Sequence, residues 1–228
     1  MSTTTLYRLS AWCLIGSFVL SLAGGLAHPV VDGDAHSVDS LLAGRTPGAQ
    51  YLIYAGAVLL MLGLPGGYLF LRDRVGRLGF VGFAGYMLGN ALSAMSHLVV
   101  EGFVAPTVAA DPDGRHLIGE NSEIIDATPF VTLQVVGGLV FVLSMILIAI
   151  ALLRAPGFPR PVAALLLLGA LALMTPIPEH AVLSGVLVEV PRGLTVATLG
   201  LLILRRARPG ETAPDSLAST DPTAVRSS

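Results

Sequence analysis

One apolar stretch of the sequence carries a row of polar side chains that could hold or transfer a proton. Within residues 78–104 these side chains are Tyr86, Asn90, Ser93, His97 and Glu101. At about 100° per residue they fall within an arc of about 80° on one face of a helix. Facing lipid, such a stripe would be costly, so we expect it to face the protein interior or a wet cavity. The same pattern also fits a hydrogen-bonded network that only fixes helix packing.

A second apolar stretch carries an ionisable pair. Glu189 and Arg192 are three residues apart and fall on nearly one helical face, with Pro191 between them. Counted from Ala181 at 1.5 Å per residue, Glu189 lies about 12 Å below the membrane surface, and His97 and Gln134 come out at a similar depth. We therefore predict one polar layer built from three helices. A structural ion pair, or an Arg192 that satisfies the carbonyl freed by Pro191, fits the pattern equally well.

These residues form the candidate site. Burial in an apolar region disfavours a charged carboxylate, so a buried glutamate could stay protonated and act as a general acid. We predict that the catalytic groups are Glu101, Glu189 and His97, the last as a proton shuttle. We predict that substrate contacts come from Arg192, Gln134, Asn90, Ser93 and Tyr86. His97 and Glu101, with His180 as a third ligand, could also hold a metal ion, but the spacing is weak evidence, so we predict no metal and no cofactor.

The elements that position these residues are long and apolar. Of the 228 residues 54% are hydrophobic and 12% are charged. A bilayer core of about 30 Å needs about 20 apolar residues in a helix. We predict an all-α polytopic membrane helix bundle over residues 1–208. Its six transmembrane helices are predicted at about 7–27, 50–71, 78–104, 127–153, 160–178 and 181–204. Residues 209–228 are rich in Pro, Ser, Thr and Asp, and we predict a disordered cytoplasmic tail.

The arginines predict the orientation of the bundle. With six alternating helices, nine of the arginines that flank the helices fall on one side and only Arg45 and Arg115 on the other. The positive-inside rule then places both termini in the cytoplasm and the protein in the cell membrane as a multi-pass protein. The two longest connections, His28–Gln50 and Pro106–Asp126, lie outside and are acidic, and we expect the first to be irregular. The net charge of −2 offers no basic face for nucleic acid.

Three short motifs carry a family resemblance. They are His28-Pro29 at the exit from the first helix, Glu101–Pro106 (EGFVAP) at the end of the third, and Leu152–Pro159 (LLRAPGFP) after the fourth. With these motifs the chain resembles small uncharacterised bacterial integral membrane proteins with six helices. The resemblance implies the fold and the membrane location, and it transfers no mechanism.

Three functions fit these observations. The first is an acid/base enzyme, cyclase- or isomerase-like, that acts on a lipophilic small molecule. The second is a proton-coupled carrier or exporter, for which six helices would need to assemble as a homo-oligomer. The third is a structural or regulatory membrane component. The enzyme is favoured slightly because the charges cluster at one depth and form no path across the membrane. The expected partners are the lipid bilayer, a lipophilic small molecule and, for a carrier, a second copy of the chain.

Overall fold

The computed structural model describes residues 1–35, 37–44, 46–118, 127–175 and 180–206. Its described secondary structure is helical, as predicted, and these residues contain no strand. The elements are α1 (Thr3–Ala27), α2 (Val38–Leu42), α3 (Thr46–His97), a π-helical segment (Leu98–Val104), α4 (Ala105–Ala110), a 3-10 turn (Arg115–Leu117), α5 (Thr128–Arg154), α6 (Arg160–Ala172) and α7 (Leu183–Arg206). The predicted tail, 209–228, lies outside the described residues.

Helix α3 folds back on itself at Gly76. This residue has φ 56° and ψ −153°, a conformation that side chains other than glycine rarely adopt. The Asn90 side chain donates to the carbonyl oxygen of Ala57 at 3.2 Å, whereas a straight helix would separate these residues by about 50 Å. Helix α3 is therefore an antiparallel hairpin with a first arm, residues 46–75, and a second arm, residues 77–97.

Four helical segments are long and apolar enough to cross a membrane. They are Thr3–Ala27, Thr46–Ala110, Thr128–Arg154 and Leu183–Arg206, with mean hydropathy between 1.7 and 2.9. The second of them has 65 residues and contains the Gly76 hairpin. The described residues are therefore built around membrane-length apolar helices, which is compatible with a membrane location.

Helix α6 is shorter than the sequence pattern predicts. It has 13 residues and ends at Ala172, whereas we predicted a helix to residue 178. The chain turns there because the backbone and side chain of Thr175 both donate to the carbonyl of Ala172. The next residue is Pro176, which disfavours helical geometry in the residue before it. Residues 176–179 lie outside the described part of the chain.

The long helices form a closed ring around one core. Helix α1 packs against α3 and α7, α3 packs against α5, and α6 packs against both α5 and α7. Small residues bring the axes close: a Cβ added to Gly24 of α1 would lie 2.7 Å from Ile53, and one added to Gly200 of α7 would lie 2.7 Å from the carbonyl of Ala11. Small residues at helix contacts let the backbones approach closely, which is typical of helix packing in membrane proteins.

The bundle has two different ends. The arginine end carries the Gly76 turn, the turn between α5 and α6, and Arg205 and Arg206. The interior toward this end is filled by side chains that expose less than 2% of their surface, including Leu14, Leu64, Leu71, Met145, Leu152 and Ile203. The opposite end, the loop end, carries residues 28–44 and the segment from Leu98 to Ile118.

The loop end is more ordered than the sequence predicts. We expected an irregular connection over His28–Gln50, but α2 lies within it and α3 already begins at Thr46. The Ser40 hydroxyl, fully buried, donates to the carbonyl of Asp34 at 2.6 Å and accepts from the backbone of Val31 at 2.9 Å. Helices α2 and α4 share a small second core, formed by Leu41, Ala105, Ala109 and Ile118. This core orders the end of the bundle at which the polar residues collect.

Candidate functional site

Glu101 lies in the π-helical segment and exposes only 3% of its surface. The Gln50 amide, from the first turns of α3, donates to Glu101 Oε2. His28, which follows the end of α1, places Nε2 3.5 Å from the same oxygen. Residues from three elements therefore meet around one carboxyl group. We call His28, Gln50 and Glu101 the Glu101 triad. π-Helical turns are rare and recur at functional sites, which adds weight to this position.

Hydrogen bonds connect all three side chains of the Glu101 triad. His28 Nδ1 lies 3.0 Å from the carbonyl of Pro29, which can only accept, so Nδ1 carries a hydrogen. The Gln50 amide nitrogen lies 2.9 Å from His28 Nε2 and also donates to Glu101. One amide group therefore links the imidazole to the carboxyl group, and His28 Nε2 lies beside the same carboxyl oxygen.

The second charged group is a buried ion pair on α7. Arg192 donates to both oxygens of Glu189, with Nε 2.9 Å from Oε2. The side chains expose 12% and 5% of their surface. Room for Glu189 comes from Gly25 of α1, where an added Cβ would lie 3.0 Å from the glutamate Cγ. The sequence allowed two structural interpretations of Arg192, an ion pair with Glu189 or a hydrogen bond to the carbonyl freed by Pro191. The structure shows the ion pair.

Aromatic rings hold the guanidinium from the other side. Arg192 Cζ lies 5.5 Å from the centre of the Phe141 ring, which stacks on Tyr86 at 4.8 Å. A cation over an aromatic face gains electrostatic attraction, more so when it is desolvated. Arg192 is therefore fixed both by its carboxylate and by a ring from α5, and its remaining N–H groups have a defined direction.

One cavity joins the Glu101 triad to the ion pair. It has a volume of about 270 Å³, close to the lower end of the range for small-molecule sites. Its polar lining consists of His28, Gln50, Asn90, Ser93, Glu101, Glu189 and Arg192. Its apolar lining consists of Ala35, Ile53, Ala57, Ala94, Phe141 and Val188. Of the predicted polar layer, Glu189 and Arg192 line this cavity, Gln134 is not among its lining residues, and the side chain of His97 is not described.

The predicted site residues divide into four groups. Asn90, Ser93, Glu101, Glu189 and Arg192 line the cavity. Tyr86 is buried next to it, where it lines a smaller apolar space together with Arg192. Gln134 is half-buried on α5 and is not among the described lining residues. The side chain of His97 lies outside the described residues. The candidate metal set of His97, Glu101 and His180 therefore stays an untested idea.

Sequence reasoning left His28 and Gln50 out of the candidate site. Both lie at helix ends, where a polar residue is ordinary, so neither departs from its local pattern. Their role depends on the hairpin, which brings the start of α3 beside Glu101. One signal in the sequence could have indicated Gln50. The charge-free run begins at Thr46 and continues with Pro47, and proline is common at the first position of a helix. That start places Gln50 inside the first turns of the helix.

The glycine face of the second arm packs as the sequence indicates. Gly82, Gly85 and Gly89 lie against α5, and a Cβ added at Gly89 would lie 2.6 Å from the backbone nitrogen of Phe141. This close contact holds Phe141 beside Arg192. The site is thus positioned by helix packing as well as by its own hydrogen bonds.

Comparison with known proteins adds no relative. No protein family, no curated protein and no solved structure matches this chain. Within the described residues, no three His, Cys, Asp or Glu side chains lie close enough together to hold a metal ion. The chemistry of the site must therefore be argued from the cavity alone.

Proposed function

We propose that this protein crosses the cell membrane six times, with both termini in the cytoplasm. The Gly76 hairpin supports two crossings within the segment Thr46–Ala110, and α1, α5 and α7 supply three more. Helix α6, the short sixth, has 13 residues and extends about 20 Å, which is most of a bilayer core of about 30 Å. The concentration of arginine at one end supports its cytoplasmic location. The cavity then belongs to the outer half of the membrane.

We further propose that the cavity binds a lipophilic small molecule and that Glu101 exchanges a proton with it. The observation that carries this proposal is that one cavity contains a carboxyl–imidazole pair, a fixed guanidinium and an apolar wall. A carboxyl group in a desolvated cavity can act as a general acid or base. The function that fits is an acid/base enzyme of the cyclase or isomerase kind, which moves a proton and needs no cofactor.

The geometry suggests separate roles for the two glutamates. Glu189 is engaged at both oxygens by Arg192 and has little freedom to give or take a proton. Glu101 shares Oε2 with His28 and Gln50, so its proton can pass to a neighbouring base. We assign proton transfer to Glu101 with His28, whereas the sequence analysis predicted His97 as the proton shuttle. The charge of Arg192 is balanced by Glu189. The N–H groups of Arg192 that do not bond Glu189 can donate to an oxygen atom of the substrate.

A proton-coupled carrier is the second candidate, because the Glu101 triad could also serve as its proton site. A carrier needs a path to the other side of the membrane. Within the described residues, the interior between this cavity and the arginine end is packed with apolar side chains such as Leu64, Met145 and Leu152, which leave a space of only about 20 Å³ beside Arg192. That packing favours chemistry at one face of the membrane.

A labelling experiment separates the enzyme from its alternatives. The protein, purified in lipid nanodiscs, is incubated in D₂O with a membrane lipid extract, and bound small molecules are identified by mass spectrometry. An acid/base enzyme puts deuterium onto carbon of the bound molecule, and Glu101→Gln abolishes this while the molecule stays bound. A carrier retains the molecule without carbon-bound deuterium, and a structural component retains nothing.

A cavity-filling pair of variants tests the location. Ala94 lines the cavity, whereas Ala84, on the same arm, is exposed on the bundle surface. Ala94→Leu should eliminate binding of the small molecule, and Ala84→Leu should leave it unchanged. Equal retention by both variants would rule out this cavity as the binding site.

A further inference from the structure

A second cavity lies at the arginine end, where α1, α3 and α7 meet. It has a volume of about 320 Å³ and is lined by Thr4, Tyr7, Leu69, Phe70, Ile203 and Arg206. We propose that it binds the headgroup of an anionic phospholipid from the cytoplasmic leaflet. This proposal rests on the membrane orientation given above and does not depend on the chemistry of the outer cavity.

One wall of this cavity is held in a fixed position. The Tyr7 and Phe70 rings meet edge to face, with centroids 6.5 Å apart. The guanidinium of Arg74 lies over the Phe70 ring at 5.7 Å and donates to the carbonyl of Pro156 at 3.3 Å. Arg74 thereby ties the hairpin turn to the turn between α5 and α6. It also adds a fixed positive charge behind the aromatic wall.

The cavity lining has the chemistry of a lipid headgroup site. Thr4 and Tyr7 supply hydroxyl groups and Arg206 supplies a guanidinium, the groups that bind phosphate oxygens. Among the described residues, none forms an ion pair or a side-chain hydrogen bond with Arg206, which leaves its guanidinium donors for a ligand. Leu69 exposes 48% of its surface beside the cavity, on the side where an acyl chain would lie.

The position of the cavity along the bundle favours a lipid headgroup rather than a free phosphate ion as its ligand. Arg206 ends α7, and Leu69 and Phe70 lie within two turns of the hairpin turn at Gly76. Phosphate groups of the cytoplasmic leaflet lie at this boundary between apolar helices and arginine-rich turns. Basic pockets between helices at that boundary favour anionic headgroups. A free phosphate ion would leave the apolar part of the cavity unfilled.

Two adjacent arginines give a matched test. Arg206 lines the cavity, whereas Arg205 is exposed at the same helix end and does not. The protein is reconstituted in phosphatidylcholine nanodiscs with or without one part in five of phosphatidylglycerol, and lipids retained after transfer to detergent are counted by native mass spectrometry. We expect selective retention of phosphatidylglycerol. Arg206→Ala should weaken the affinity for this lipid about five-fold, because one arginine near the surface contributes about 1 kcal/mol. Arg205→Ala should change it little.

Three results would overturn the proposal. Retention without preference for phosphatidylglycerol would exclude an anionic site. Equal losses in the two variants would assign binding to the general positive potential of this end. Complete displacement of the lipid by glycerol phosphate would show that the apolar part of the cavity contributes nothing. If Arg206→Ala proves unstable, Thr4→Val offers a second variant that removes one phosphate donor from the same cavity, and unchanged retention in it would count against the proposal.

Discussion

Replacing Glu189 with glutamine should destabilise the protein strongly, because Arg192 then remains buried without a counter-charge. Gln keeps the shape of the side chain and one acceptor, so the change isolates the charge. The ion pair is not a surface pair: its side chains expose 12% and 5% of their surface, and screening by solvent is small. Breaking a buried pair by removing one partner costs about 3–5 kcal/mol.

The cavity determines which end of that range applies. Arg192 lines a cavity of about 270 Å³ and is held over Phe141, so it retains part of its environment when Glu189 is lost. We therefore expect a loss of about 3 kcal/mol, which in a chain of this size lowers Tm by about 6–12 °C. Replacing both residues with Gln removes the unpaired charge. The double variant should recover at least about 1.5 kcal/mol of the summed losses.

Thermal unfolding in a mild detergent, followed by intrinsic fluorescence, measures all four proteins of this double-mutant cycle. The wild type, Glu189→Gln, Arg192→Gln and the double variant are compared at one pH and one salt concentration. If the loss of stability in the double variant equalled the sum of the two single losses, the reasoning would be refuted, because the two side chains would then not depend on each other. A stable Glu189→Gln protein would equally refute it and would return Glu189 to the list of candidate acids.

Three further changes test other features. Gly76→Ala should lower the stability in thermal unfolding by about 1–3 kcal/mol through backbone strain, although no atom lies within 4 Å of the added Cβ. The control Gly138→Ala, equally open but in a helical conformation, should be neutral or gain up to about 1 kcal/mol. Equal effects of the two variants would contradict the hairpin conformation at Gly76. Gln50→Leu should cost about 1–3 kcal/mol, because it removes the amide donor from the buried Glu101 carboxyl group. A melting curve like that of the wild type would show that the Glu101 triad does not act as a unit. In a background without the native cysteine, a membrane-impermeant thiol reagent added to whole cells should label a cysteine placed at Gly114 and miss one placed at Gly157; the opposite pattern would reject the proposed orientation.

Periodicity and composition predicted the parts of this fold that depend on local sequence. The apolar runs gave the long helices, and the 100° spacing placed Asn90 and Glu101 in the interior, where both expose 3% of their surface. The pair Glu189–Arg192 was predictable because three residues form less than one helical turn. The glycines of the second arm indicated a close neighbour, and that neighbour is α5.

Other features depend on contacts between distant segments, and a single sequence does not reveal them. The position of Gln50 beside Glu101 follows from the hairpin, and a helix count by itself assigns no partner to either residue. Gln134 was placed in the site by depth alone, but depth does not fix which face of α5 a residue occupies. The π-helical segment and α2 also escaped prediction, since neither has a distinctive apolar period.

The packing of α1 against α7 has a consequence for biosynthesis. The first and last long helices share a surface with close glycine contacts, and roughly 150 residues separate them in the chain, which a ribosome adds in roughly 8–30 s. During that interval the surface of α1 that packs on α7 lacks its partner. The cavity has His28 on one side of this junction and Glu189 on the other. The cavity is therefore complete only after α7 has been synthesised, and nascent chains that stop before α7 lack its Glu189–Arg192 wall.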